Sequence, residues 1–249
     1  MELQLVNIHH AFGEEKDRQK VVNGVDLHLQ QGEFVSLIGP SGCGKSTLFN
    51  LISGLEVPDE GDILFNNQDV KGKRGNISYM MQKDLLFPWK TVLENVLLGA
   101  TITKQNYQSA REEALSLFPL FGLEGYENYY PTVLSGGMKQ RAALLRTFLH
   151  KKQLLLLDEP FGALDALTRE KMQEWLLNIW SQMRRTVLFI THSIDEAIFL
   201  SDRIYVLSPR PTEVIEEFSV GLSRPRSKDV TLSPEYIQLK EKLMKSLYQ

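Results

Sequence analysis

Gly39-Pro-Ser-Gly-Cys-Gly-Lys-Ser-Thr47 fits the spacing G-x-x-x-x-G-K-[ST], and its flanks are what that spacing requires. The apolar run Phe34-Val-Ser-Leu-Ile38 predicts a strand leading in, and Leu48 to Ser53 predicts a helix leading out. Strand, glycine-rich loop and helix start together make an anion cradle. Gly39, Gly42 and Gly44 permit backbone conformations that a β-carbon forbids, so successive main-chain N–H groups can turn inward on phosphate oxygens. The helix beginning near Lys45 adds unpaired N–H groups and the positive end of its dipole. Lys45 then neutralises the β- and γ-phosphates, Ser46 offers its hydroxyl to Mg²⁺, and Thr47 is the next hydroxyl along. Pro40, Ser41 and Cys43 belong to the same loop, and Cys43 reads as a small filler whose main-chain N–H matters more than its sulfur.

Composition narrows the class of protein. With 249 residues, 43% hydrophobic and 24% charged, the chain can bury a sizeable core and reads as one large α/β domain or a core with an insert. Its 28 basic and 31 acidic residues are interspersed, which argues against a nucleic-acid surface, since duplex binding needs basic residues gathered on one face. A single cysteine excludes an internal disulfide framework, and a reducing compartment is expected. The segment Met1 to Val6 lacks a basic stretch followed by an apolar one, so no secretory leader is expected. No apolar run approaches the roughly 18 residues of a membrane span.

Along the chain, residues 3–8 and 21–29 partly alternate and predict two half-buried strands joined by a polar hairpin loop, with Phe12 at its base. That aromatic can stack on a nucleotide base or simply pack, and spacing does not choose. Strands are also predicted at Ile63–Phe65 and Ile77–Met81. Gln82 follows the second, where α/β folds place ligands, so it reads either as a contact to Mg²⁺ or its water, or as a solvent-facing amide. From about residue 83 to 152 the pattern turns helical, predicting an inserted helical subdomain. It holds the apolar loop Leu85-Leu-Phe-Pro-Trp89, which is either buried or presented to a partner.

Leu134-Ser-Gly-Gly-Met-Lys-Gln-Arg141 offers a second anion-binding helix start: Ser135 can cap it, and Gly136 and Gly137, costly within a helix, expose N–H groups. Leu154 to Leu157 predicts a strand buried on both faces that delivers Asp158 to Mg²⁺ and Glu159 to an attacking water. Gly162 to Asp165 is a loop, followed by a helix with Met172, Trp175, Leu176, Ile179 and Met183 in an apolar stripe. His192 sits between the strand Thr186–Thr191 and a short helix opened by the capping-box pattern Ser193-Ile-Asp-Glu196, a location that favours γ-phosphate contact. A strand at Arg203–Leu207 and another near Glu213–Phe218 close the core. The tail ends in a helix marked by Tyr236, Leu239, Leu243 and Leu247.

Six of these pieces, in this order, resemble the nucleotide-binding subunit of an ATP-binding cassette (ABC) transporter, over nearly the whole chain. Residues 39–47 resemble that family's Walker A motif, Gln82 its Q-loop, Leu134–Arg141 its signature, Leu154–Pro160 its Walker B with catalytic Glu159, Ala163–Ala166 its D-loop with Asp165, and His192 its switch histidine. The resemblance implies a P-loop NTPase core with a mixed sheet, an N-terminal antiparallel β subdomain and the helical insert, spanning residues 1–220, with residues 221–249 as a tail. It implies ATP and Mg²⁺ as ligands, catalytic roles for Lys45, Gln82, Glu159 and His192, and Phe12 stacking on adenine. Ser46, Gln82 and Asp158 become the metal ligands.

A head-to-tail homodimer is also implied, in which Ser135, Gly136 and Gly137 of one copy close on the γ-phosphate held by the other. Leu85, Leu86, Phe87, Pro88 and Trp89 would meet a membrane permease, served by an extracytoplasmic solute-binding protein, with the subunit peripheral on the cytoplasmic face. The segments LLFPWKTVLENV and PFGALDALTR resemble bacterial importers of nitrate, sulfonates, taurine and pyrimidine precursors. The competing reading is a cytosolic ABC ATPase acting on nucleic acid or ribosomes, but the paired cassettes, coiled coil or basic arms of such proteins are not in this sequence.

Overall fold

The computed structural model describes residues 3–14, 17–183 and 185–248; the Met183 side chain, last in the expected apolar stripe, lies outside the described residues. In chain order the elements are β1 (Leu3–Phe12), β2 (Gln19–Leu29), β3 (Phe34–Ile38), α1 (Lys45–Ser53), β4 (Glu60–Phe65), β5 (Gln68–Asp69) and β6 (Ser78–Met80). Then come α2 (Val92–Val96), α3 (Leu98–Ile102), α4 (Tyr107–Leu117), α5 (Gly136–Leu149), β7 (Leu154–Asp158) and α6 (Ala166–Met183). The last are β8 (Thr186–Ile190), α7 (Ile194–Leu200), β9 (Arg203–Leu207), β10 (Val214–Ser219) and α8 (Pro234–Leu247). The chain divides into two units, Met1–Asn76 with Leu177–Gln249, and Ile77–Leu176.

The first unit carries an antiparallel sheet ordered β2-β1-β4-β5 and a run β10-β9-β3-β8, in which β9, β3 and β8 are parallel and β10 is antiparallel. β3 and β8 are buried at every position, as expected of strands with two covered faces. Leu48, Phe49, Leu51 and Ile52 of α1 are fully buried, each contributing roughly 1.5–3 kcal/mol relative to exposure. Gly54, at φ 76°, ends this helix in the left-handed conformation that closes its last turn. The hairpin is longer than its alternation suggests: β1 runs to Phe12 and β2 starts at Gln19, because Ala11 and Phe12 pair with Lys20 and Gln19 at an end where both faces are wet.

In the second unit β6 and β7 are parallel, with Met80 opposite Leu157, and all of β7 is buried. The expected helical stretch opens with two short helices, α2 and α3, the first held by a complete capping box between Thr91 and Glu94. That bond from the Thr91 main chain holds the Glu94 carboxyl below the usual carboxylate range. Phe121 and Phe148 pack on Trp175, with ring centres 4.3 and 5.7 Å apart. Tail residues are part of the first unit, where Tyr236 and Leu243 join Ile38, Ala197, Ile198, Ile204, Val206 and Val220 in one cluster.

Candidate functional site

In the first unit, Gly39–Thr47 leaves the carboxyl end of β3 and turns into α1 at Gly44. Among the described residues no side chain caps α1, and uncapped N–H groups at a helix start can meet an anion. The Lys45 ammonium is buried and donates to the carbonyls of Gly39 and Pro40 at 2.8 and 2.9 Å, folding the loop around its own cation. Thr212 backs the loop from behind: its hydroxyl donates to the Cys43 carbonyl, and a β-carbon on Gly44 would lie 2.8 Å from that hydroxyl oxygen. With φ at 128°, Gly44 is confined to glycine by both conformation and space. Ser46 is exposed, Cys43 is buried, and Phe12 is 43% exposed at the end of β1.

His192 follows β8 directly and is exposed. Because β8 lies parallel to β3, with Ile190 opposite Leu37, His192 and the glycine-rich loop leave the same sheet edge. The expected capping box at Ser193 forms only in half: Ser193 accepts from the Glu196 N–H at 3.3 Å, but the Glu196 carboxylate takes the Thr191 hydroxyl instead. The Ser193 N–H then donates to Thr191 Oγ1 at 3.0 Å, so both neighbours of His192 are tied to the first turn of α7.

The second unit gathers the other polar residues. Asp158, 2% exposed, ends β7, and Glu159 follows at φ 48°, a left-handed conformation that a residue with a β-carbon adopts only under constraint. Gln82, beyond β6, donates to Glu159 Oε2 at 3.1 Å, so the parallel pair β6–β7 brings amide and carboxylate together. Sequence reasoning missed Gln140. Buried on α5, it donates to the Glu159 carbonyl at 2.9 Å and accepts from the Ala163 N–H at 2.8 Å. Its place inside the Leu134–Arg141 motif was the available signal.

Ser135 caps α5, accepting from the Met138 N–H at 3.3 Å, while Gly136 has nothing within 4 Å of where a β-carbon would stand. Asp165 accepts from the Thr168 N–H at 3.0 Å, and its bonds with Thr168 hold this exposed carboxyl below the usual range. The loop before α2 is fastened from inside. Asn95, fully buried, accepts from the Phe87 N–H at 2.7 Å and donates to the carbonyls of Phe87, Lys90 and Thr91, while Arg146 donates to those of Asp84 and Leu85. Leu86 is buried. Phe87 and Trp89 stack outward, their rings 5.1 Å apart and nearly parallel, with Trp89 70% exposed.

A model of the ABC transporter family matches residues 22–162. The chain belongs to the ABC transporter family. An uncharacterised ABC transporter ATP-binding protein of Methanocaldococcus jannaschii is 40% identical over 247 residues, covering 99% of this chain and 91% of that one. An aliphatic sulfonates import ATP-binding protein of Bacillus thuringiensis subsp. konkukian is 39% identical over 244 residues, 98% of this chain and 95% of the relative. The solved dimeric structure of a bacterial ABC transporter cassette is similar with TM-score 0.80 and 31% identity, over 89% of this chain and all (100%) of that one. A post-hydrolysis cassette bound to ADP and Pi gives TM-score 0.78 at 29% identity, with the same coverage, 89% and 100%.

This ABC subunit is thus an ATP-hydrolysing enzyme that works on ATP with Mg²⁺. Its oxygen donors suit that ion. Mg²⁺ takes oxygen ligands, often one or two protein oxygens together with waters and the substrate's phosphates, and the buried Asp158 carboxylate and exposed Ser46 hydroxyl are donors of that kind. Among the described residues, no helix is long and apolar enough to cross a membrane.

Proposed function

We propose that this ABC ATPase powers a bacterial importer of a small solute of the nitrate, sulfonate, taurine or pyrimidine-precursor type, as a head-to-tail homodimer on the cytoplasmic face of the membrane. The observation that carries the reading is the fastened loop Asp84–Lys90. Asn95 and Arg146 fix its main chain, so its stacked Phe87 and Trp89 form a rigid apolar surface with low ordering cost for a permease segment to dock on. The sulfonate-import relative supports the solute class. An extracytoplasmic binding protein would deliver the solute.

In this reading Phe12 stacks on adenine, and Gly39–Thr47 wraps the phosphates, with Lys45 exchanging its loop carbonyls for phosphate oxygens. Ser46, Gln82 and Asp158 would hold Mg²⁺, which would supply charge withdrawal from the β- and γ-phosphates. Glu159 accepts the proton of the attacking water as its oxygen bonds to the γ-phosphorus and the bond to ADP breaks. Gln82 orients that carboxylate, and His192 steadies the γ-phosphate. Ser135, Gly136 and Gly137 come from the opposite copy, with Asp165 beside them.

Glu159→Gln should lower hydrolysis by about 10²- to 10⁴-fold while retaining ATP and trapping the closed dimer, read by single-turnover kinetics and size-exclusion chromatography. Phe87→Ser with Trp89→Ser should leave ATP binding intact and abolish co-purification with a permease subunit. A complex that survives this change, or ATPase activity stimulated by nucleic acid, would overturn the importer reading.

A further inference from the structure

α7 has seven residues, well short of the roughly 12–15 at which an isolated helix begins to hold itself, so its placement comes from what grips it. The tail does much of the gripping. At the carboxyl end of α7, the Arg226 guanidinium is buried and donates to the carbonyls of Ile198, Phe199 and Ser201 at 3.0, 3.1 and 2.7 Å. Arg224 donates to the Leu200 carbonyl at 2.6 Å and to Asp202 at 2.8 Å, and lies 4.2 Å over the Trp180 ring. Two cations therefore sit where the helix dipole is negative. Burial, with Arg224 nearby, pushes the Arg226 guanidinium down to about 10, a cost that a surface tether would not incur.

At the amino end the grip falls on Asp195. Its carboxylate accepts from the Tyr236 hydroxyl at 2.8 Å and from the Lys240 ammonium at 2.7 and 2.9 Å, both on α8. Tyr236 is 2% exposed, and burial together with Asp195 pushes its phenol above the usual range. Asp195 lies in the same first turn as Glu196, whose carboxylate accepts from the Thr191 hydroxyl and whose N–H donates to Ser193 Oγ; Thr191 and Ser193 are the two neighbours of His192. α8 thus holds Asp195, and the adjoining Glu196 holds the two residues on either side of His192.

We infer that the tail is a positioning clamp for the hydrolytic switch: Tyr236 and Lys240, acting through Asp195, hold the first turn of α7 and set the place of His192. This rests on the reading of His192 as a γ-phosphate contact. Tyr236, Lys240 and Asp195 are positioning residues and touch no substrate. The clamp makes hydrolysis sensitive to anything that binds or displaces α8, without altering the phosphate loop.

Tyr236→Phe with Lys240→Met keeps the packing and removes both bonds to Asp195. The expected result is a kcat for MgATP lowered by about 10- to 100-fold with KM unchanged, and faster amide exchange at residues 192–196. Asp195→Lys should give the same loss, and adding Lys240→Asp, which restores an opposite-charge pair, should recover it. A kcat that stays at the wild-type value, or that falls only together with the melting temperature and is not rescued by the reversed pair, overturns the clamp. His192→Ala separates the two claims. If it hydrolyses ATP at the wild-type rate, the reading of His192 fails and the clamp with it; if it is slow while the Tyr236/Lys240 variant is not, the clamp alone fails.

Discussion

Two helices in this molecule begin with glycines, and their surroundings are opposite. At the start of α1, Gly44 is walled by Thr212 and Val21, Lys45 is buried, and the loop is folded onto its own ammonium. At the start of α5, Ser135 and Gly136 are exposed, and a β-carbon on Gly136 would meet nothing within 4 Å. Sterics within the chain explain glycine at 44 and do not explain it at 136. A helix-interior glycine costs roughly 0.5–1 kcal/mol against alanine, and no contact within the described residues accounts for the glycine at 136. The start of α1 is finished by its own unit. That of α5 is exposed, in keeping with the proposal that it serves another copy's nucleotide.

The sharpest way to break this contrast is to disable each start separately. Lys45→Ala should abolish ATP binding, whereas Ser135→Arg should leave binding intact and stop hydrolysis. Mixed together, the two inactive variants should regain turnover, since a mixed dimer holds one site with an intact loop and an intact signature. Mixtures that stay inactive would confine each site to one chain. A smaller effect separates the glycines themselves. Gly44→Ala should cost about 1–3 kcal/mol in urea unfolding, from its positive φ and the contact with Thr212. Gly136→Ala should be neutral or gain up to roughly 1 kcal/mol of stability while still lowering ATPase activity. Equal destabilisation by both would erase the distinction.

The order of elements was legible because each motif is local: a glycine spacing between strand and helix, a leucine run before two acids, a histidine between a strand and a capped helix. Hidden were relations that no local pattern carries. Thr212 confines the loop from 169 positions beyond Cys43. β5, two residues long, is too short to show alternation, and the outer end of the β1–β2 hairpin has none because water covers both faces. Leu86 and Trp89 sit in one apolar run, yet one is buried and the other 70% exposed; the difference is made by Asn95 and Arg146 pulling on the main chain. Glu196 fits a capping box on spacing alone, but Thr191 competes for its carboxylate. Pattern places residues along the chain, and hydrogen bonding decides which way they face.

Gln140 has a mechanical consequence. Its amide is bolted at both ends, to the Glu159 carbonyl and to the Ala163 N–H, in a setting where stranding either group would cost about 1–3 kcal/mol. Any tilt of α5 that spares those bonds must carry the backbone of Glu159 along. A pull on the exposed tip at Ser135 would therefore reach Glu159, the proposed proton acceptor, through the Gln140 amide.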